Sequence, residues 1–206
     1  MPGRETYVGA ARSFADLVAR LPADAYDGPG LGAWDLRALV GHASRSVVTV
    51  LEYLDRPGRA EDVVVPDAEG YYAAVVATLG DPAQAQAVVE RGRAAGEALG
   101  DDPAGHVAAL VDEVTAKLAG FDDDYVLTTI AGPMRLRDYL PTRTFELVVH
   151  GLDVARATGL RPGFGDDATA EAVTLAARTA VRTGLAEDLL LAVTGRTGLP
   201  DGFSVV

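Results

Sequence analysis

The chain has 206 residues, 49% of them hydrophobic, enough for one well-buried core with a small appendage. Its formal net charge of −12 argues against nucleic acid and anionic membranes as partners, since both call for a basic face. Cysteine is absent, which excludes a disulfide framework, a thiolate metal ligand and a cysteine nucleophile.

Residues 4–21 place Tyr7, Ala11, Phe14 and Leu17 at helical spacing, and Pro22 with Gly28-Pro29-Gly30 ends that helix. Asp35 is a good capping residue, and a second helix runs from there to about Asp55. Leu36, Val40, Val47, Leu51 and Leu54 form one side of it; His42, Arg45, Ser46, Thr49 and Tyr53 form the other. Residues 56–68 read as a Pro-, Gly- and charge-rich loop, 71–79 as a short helix, and 83–119 as helix interrupted at 100–105 by Gly100, Asp101 and Pro103. The stretch 121–133 is irregular, with a short extended piece at 125–130.

A helix over 136–158 follows, with Pro141 in its first turns and Gly159 at its end. Another spans 166–186. The tail LLLAVTGRTGLPDGFSVV joins two apolar runs through Gly, Pro and Asp, and reads as a small hairpin or an arm. The expected fold is all-α: an up-down four-helix bundle with a long crossover over residues 1–186. A short C-terminal β-hairpin or arm over 187–206 packs on it. No stretch is long and apolar enough to span a bilayer, and the N-terminus lacks a secretory signal's apolar core, so the cytoplasm is the expected compartment.

Chemistry concentrates in two helices. At ~100° per residue, Arg143, Glu146, His150 and Asp153 fall within an arc of about 80°. Phe145, Val148, Val149 and Leu152 cover the far side of the same helix, which is therefore mostly buried. Glu146 and His150, one turn apart, can grip one cation, and His42 from a facing helix can complete the set. Two His and one Glu are ligand types of a catalytic zinc site with an open fourth position; Ni²⁺, Co²⁺ or Fe²⁺ could use the same set. The plainer alternative is a solvated stripe with an Arg143–Glu146 ion pair. Asp153 is placed to orient His150. Arg143 and Arg45 could bind a substrate carboxylate, or simply neutralise Glu146 or reach solvent. No phosphate-cradling loop, nucleophile elbow or calcium loop is present.

The stretches GLGAWDLRALVGHASRS and GPMRLRDYLPTRTFELVVHGLDVARATG resemble the mycothiol-dependent maleylpyruvate isomerase family. That family belongs to the DinB-like metal-binding four-helix-bundle superfamily of actinobacteria. Its pattern has a Trp before the second helix, a metal-binding His in it, and R-x-x-E-x-x-x-H-x-x-D in a later helix. Here these are Trp34, His42, Arg143, Glu146, His150 and Asp153. The TGR of the tail is also similar, and a single lysine, Lys117, among 18 basic residues fits a GC-rich genome.

The resemblance implies a divalent metal, usually zinc, that binds and activates the low-molecular-weight thiol mycothiol. A metal-bound thiol loses its proton near neutral pH and can attack an electrophilic carbon. In an isomerase it would add to a conjugated double bond, allow rotation and leave; in a transferase the S–C bond would persist. Maleylpyruvate isomerase itself resembles a longer protein with a C-terminal α/β domain, whereas this sequence ends at Val206. Two other functions fit the same residues: a metal-containing binding protein without turnover, and a thiol-independent metal hydrolase. The expected partners are the thiol and a small electrophile, with the chain a monomer or homodimer.

Overall fold

The structure, a computed structural model, describes residues 2–79 and 82–206. In chain order the described elements are α1 (Pro2–Val18), α2 (Leu36–Leu54), α3 (Ala68–Leu79), α4 (Pro82–Ala98), α5 (Pro103–Leu118), β1 (Val126–Thr129), β2 (Gly132–Arg135), α6 (Leu136–Thr158), α7 (Asp166–Thr183) and α8 (Ala186–Val193). The Asp35 carboxylate accepts from the Ala38 amide at 2.7 Å and starts α2. Asp102 does the same for Gly105 at 2.9 Å ahead of α5, where Pro103 opens the first turn.

Four of these helices enclose the core. α1 packs on α5 and α6, and α2 packs on the same two, so α1 and α2 stand diagonally across the bundle. Long-range hydrogen bonds give their directions. Arg4 at the start of α1 donates to Leu118 O at the end of α5 (2.9 Å), an antiparallel pair. Lys117 reaches Leu51 O (3.0 Å) while Arg37 reaches Gly100 O (2.9 Å), so α2 and α5 run parallel. Tyr139 early in α6 donates to Thr49 late in α2 (2.9 Å), an antiparallel pair.

The order is up, down, down, up. Two successive parallel helices require a long return, and that crossover carries α3 and α4. α4 lies so close along α2 that a Cβ on Gly41 would stand 2.2 Å from the Gly96 nitrogen. Tyr7, Phe14, Leu17, Leu36, Leu39, Leu54, Tyr139 and Leu140 fill the centre.

The extended piece expected near 125–130 is β1, and its partner β2 makes an antiparallel hairpin with Val126 opposite Arg135 and Thr129 opposite Gly132. Gly132 takes φ +114 at the turn, a conformation that suits glycine. Of the two forms expected for residues 187–206, the structure has the arm and not the hairpin. Ala-Glu-Asp-Leu-Leu-Leu-Ala-Val forms α8, with Glu187 and Asp188 in its first turn, and α8 packs on α7. Strong helix formers and acidic groups at the positive helix end outweigh the strand-like look of the apolar run. None of the described helices is long and apolar enough to cross a membrane.

Candidate metal centre

The antiparallel α2–α6 pair sets the site. His42 lies in the second turn of α2, and Glu146 and His150 lie one turn apart on α6, so the three side chains meet between the helices. Each offers a ligand atom within 4.8 Å of the others'. His150 Nε2 is 3.3 Å from Glu146 Oε2, and the His42 and His150 rings stand edge to face with centroids 4.8 Å apart.

Each ligand candidate has a support. His150 Nδ1 bonds Asp153 Oδ2 at 3.2 Å, which turns Nε2 toward Glu146 and His42. The Tyr72 hydroxyl, from α3, donates to Glu146 Oε1 at 2.8 Å and contacts Thr142 O at 3.0 Å. Trp34 stacks on His42 with centroids 4.4 Å apart, and its indole N–H is tied to Val89 O of α4 at 3.0 Å. Gly92 makes that stack possible, because a Cβ there would sit 2.6 Å from the indole.

His42 Nδ1 is buried and, among the described residues, has no hydrogen-bond partner. A buried nitrogen lone pair or N–H without a partner is costly and calls for an explanation, a bound ion being one. The donor set therefore fits a divalent cation on its own chemistry: two imidazoles, one carboxylate, and an orphaned nitrogen among them.

The charges agree. Burial and the neighbouring His150 push His42 down to about 4, so its ring is neutral at physiological pH. Burial alone would raise Glu146, but His150, Arg143 and Tyr72 outweigh it and hold the carboxylate down to about 2. Burial would lower His150, yet Asp153 and Glu146 on either side raise it to about 9. A charged His150 ring thus points one N–H at Asp153 and the other at Glu146, and the second of these protons is the one a cation at the cluster would displace. Replacing that proton by a dication is the exchange such sites make.

The two arginines fare differently. Arg143 is 8% exposed and lies over the rings of Tyr71 and Tyr139, 5.2 and 5.0 Å from their centroids. It makes no ion pair with Glu146, so the plainer reading of the stripe as a solvated Arg143–Glu146 pair does not describe it. Arg45 is half-buried, near enough to bias His42, and no described carboxylate pairs with it.

Tyr72 was not legible as a site residue; in sequence it belongs to a short helix with no motif. Two surface grooves, one lined by Arg4, Val8, Arg12 and Leu118 and the other by Glu69, Arg178 and Arg182, contain none of these residues.

Residues 8–155 match the family described as "Mycothiol maleylpyruvate isomerase N-terminal domain", of the DinB-like superfamily. The match spans α2 and α6, and so His42, Glu146, His150 and Asp153. No curated protein and no solved structure gives a significant match.

Proposed function

The chain belongs to the mycothiol maleylpyruvate isomerase N-terminal-domain family, and from that premise we propose that it is a metal-dependent enzyme using an external thiol. The thiol is mycothiol, the nucleophile its thiolate, and the substrate a small electrophile that undergoes S-transfer or cis–trans isomerisation. The observation that carries this reading is the His42–Glu146–His150 cluster with its unpartnered Nδ1, in a chain with no cysteine of its own.

His42, Glu146 and His150 would hold a divalent ion, Zn²⁺ before Ni²⁺. When bound, that ion supplies Lewis acidity that keeps a thiol deprotonated near neutral pH. The protein's own groups prepare the place. Asp153 fixes the His150 tautomer, Tyr72 keeps one Glu146 oxygen occupied so that the other faces the cluster, and Trp34 stops the His42 ring from turning. The buried setting excludes most water and strengthens every charge interaction inside it.

Calorimetric titration of the zinc-loaded protein with mycothiol and with its S-methyl ether tests the reading. Mycothiol is expected to bind at least about tenfold tighter, because only it can present a thiolate. Equal affinities would remove the thiolate mechanism. Turnover of an electrophile without added thiol would favour a hydrolase, and thiol binding without turnover would leave a binding protein.

A further inference from the structure

Among the described residues eleven large apolar side chains stand exposed, and seven of them fall between Val173 and Val206. α8 packs on α7 through its half-buried positions Ala186, Leu189 and Ala192. Leu190 and Val193, three residues apart and so neighbours on the helix surface, are 61% and 70% exposed. α7 adds an exposed stripe of Val173, Ala177 and Val181 at i, i+4 and i+8. A surface helix ordinarily turns polar groups to water, and here two helices turn valine and leucine.

The same stretch is electrically unlike the rest of the chain. Arg178, Arg182 and Arg196 balance Glu187, Asp188 and Asp201, so the whole formal charge of −12 belongs to the residues before 173. Two copies of the chain therefore repel over most of their surface and least over this part. Arg178 and Arg182 are already paired, with Glu69 at 3.5 Å and Asp67 at 2.7 Å. Glu187, Asp188 and Arg196 form no ion pair among the described residues. The two acids lie in the first turn of α8, and the Arg196 amide donates to Leu191 O at 2.8 Å, which keeps the arginine by the last turn. The helix dipole favours that order of charges, but it gives no reason for Leu190 and Val193 to meet water.

We propose that this face binds a second copy of the chain, with the two α8 helices antiparallel across a two-fold axis. The order of charges selects that occupant. An axis midway between Leu190 and Val193 sets Leu190 of each copy against Val193 of the other, and the same axis sets Glu187 against Arg196. Each contact then occurs twice, as a closed two-fold interface requires. A parallel arrangement would instead bring the acids of both copies together. The metal centre lies between α2 and α6, away from α8, so the pairing does not depend on the metal-thiolate reading.

Sedimentation velocity of the full chain from about 1 to 500 μM tests the pairing. The wild type is expected to dimerise with a Kd of about 10 μM, as suits a small reversible interface. Val193→Glu changes an exposed side chain, so circular dichroism should stay the same while the dimer weakens at least about tenfold. Arg196→Glu alone, and the double variant Glu187→Arg/Asp188→Arg alone, should each be monomeric at about 50 μM, because like charges then meet. Mixed in equal amounts, the two should dimerise within about threefold of the wild-type affinity, since every acid again faces a base.

A wild type that stays monomeric at the top of the range would overturn the inference, and so would a dimer indifferent to Val193→Glu. Charge variants that dimerise alone, or a mixture that stays monomeric, would overturn it equally. If a charge variant does not fold, the wild-type series and Val193→Glu decide.

Discussion

The α2–α6 pair has two ends with the same kinds of residue and opposite fates. At the end where α2 finishes and α6 begins, polar groups are closed on one another. Tyr139 bonds Thr49, Thr49 bonds Arg45 O at 2.8 Å, and Tyr7 from α1 contacts Ser46 O at 3.2 Å. At the other end a valence stays open: among the described residues, buried His42 Nδ1 has no hydrogen-bond partner. Burying a polar group without a partner costs on the order of 1–3 kcal/mol. The first end uses polarity to hold helices in register. The second keeps polarity that the fold itself does not use, which is what the proposed metal site would take up.

The largest expected effect comes from breaking the open end. His42→Ala and His150→Ala should each cut bound zinc, read by elemental analysis after dialysis, to under about a tenth of wild type. They should also lose the stabilisation that a native-state ligand adds, about 4 kcal/mol at a thousandfold excess over Kd. Zinc retained at the wild-type level in both variants would remove the assignment.

Next comes acid. His42 is held at about 4 against an ordinary 6.5, so between those values the unfolded chain takes up a proton that the folded chain refuses. Stability from this group is complete above pH 6.5 and is lost as pH falls through the window to 4. The size is about 3 kcal/mol, at ~1.4 kcal/mol per unit. His150 has the opposite sign: its contribution is complete below 6.5 and fades as pH rises through 9, so it stays constant over the acid range. Zinc-free wild type and His42→Gln, unfolded by urea from pH 7 to 4, isolate the difference. Parallel curves for the two would mean that the ring is not held neutral.

What the sequence could say about these two ends follows from the range of the interactions. Glu146 and His150 are one turn apart, so their meeting is a local property of α6, and the Asp153 contact is local in the same way. That His42 joins them needed the facing of two helices, for which the sequence offered a His-bearing polar stripe and the family resemblance. Tyr72 meets Glu146 across 74 positions. Nothing near Tyr72 announces it, because the contact depends on where the crossover lays α3. The hairpin was half visible: VLTT reads as a strand, whereas Gly-Pro-Met-Arg does not, and only its pairing makes it one. At the C-terminus the apolar run before TGR suggested a strand, and the neighbouring Glu187 and Asp188 were the overlooked helix signal.

A smaller effect sharpens the comparison from the side of the supports. Asp153→Asn and Tyr72→Phe leave all three candidate ligands in place but free a ring and a carboxylate to turn. Each should weaken zinc about 10–100-fold, the usual size for loss of a partner behind a ligand. Chelator competition measures this, with circular dichroism to show the helices intact. Unchanged affinity in both would mean that the ligands are held by packing alone.

The smallest effect belongs to the closed end, and it is the control for all the others. Tyr139→Phe removes the hydroxyl that bonds Thr49 but keeps the ring that packs on Tyr53 at 5.5 Å and over Arg143. Thr49 retains its bond to Arg45 O, so no buried oxygen is stranded. The cost should therefore be that of one ordinary hydrogen bond, about 1 kcal/mol, seen as a shift of the urea midpoint at constant slope. Zinc affinity should not move, because Tyr139 touches none of the three candidate ligands and the ring still covers the guanidinium. A Tyr139→Phe protein that lost zinc as readily as Asp153→Asn would show that the two ends are one network. The contrast between a structural end and a binding end would then fail.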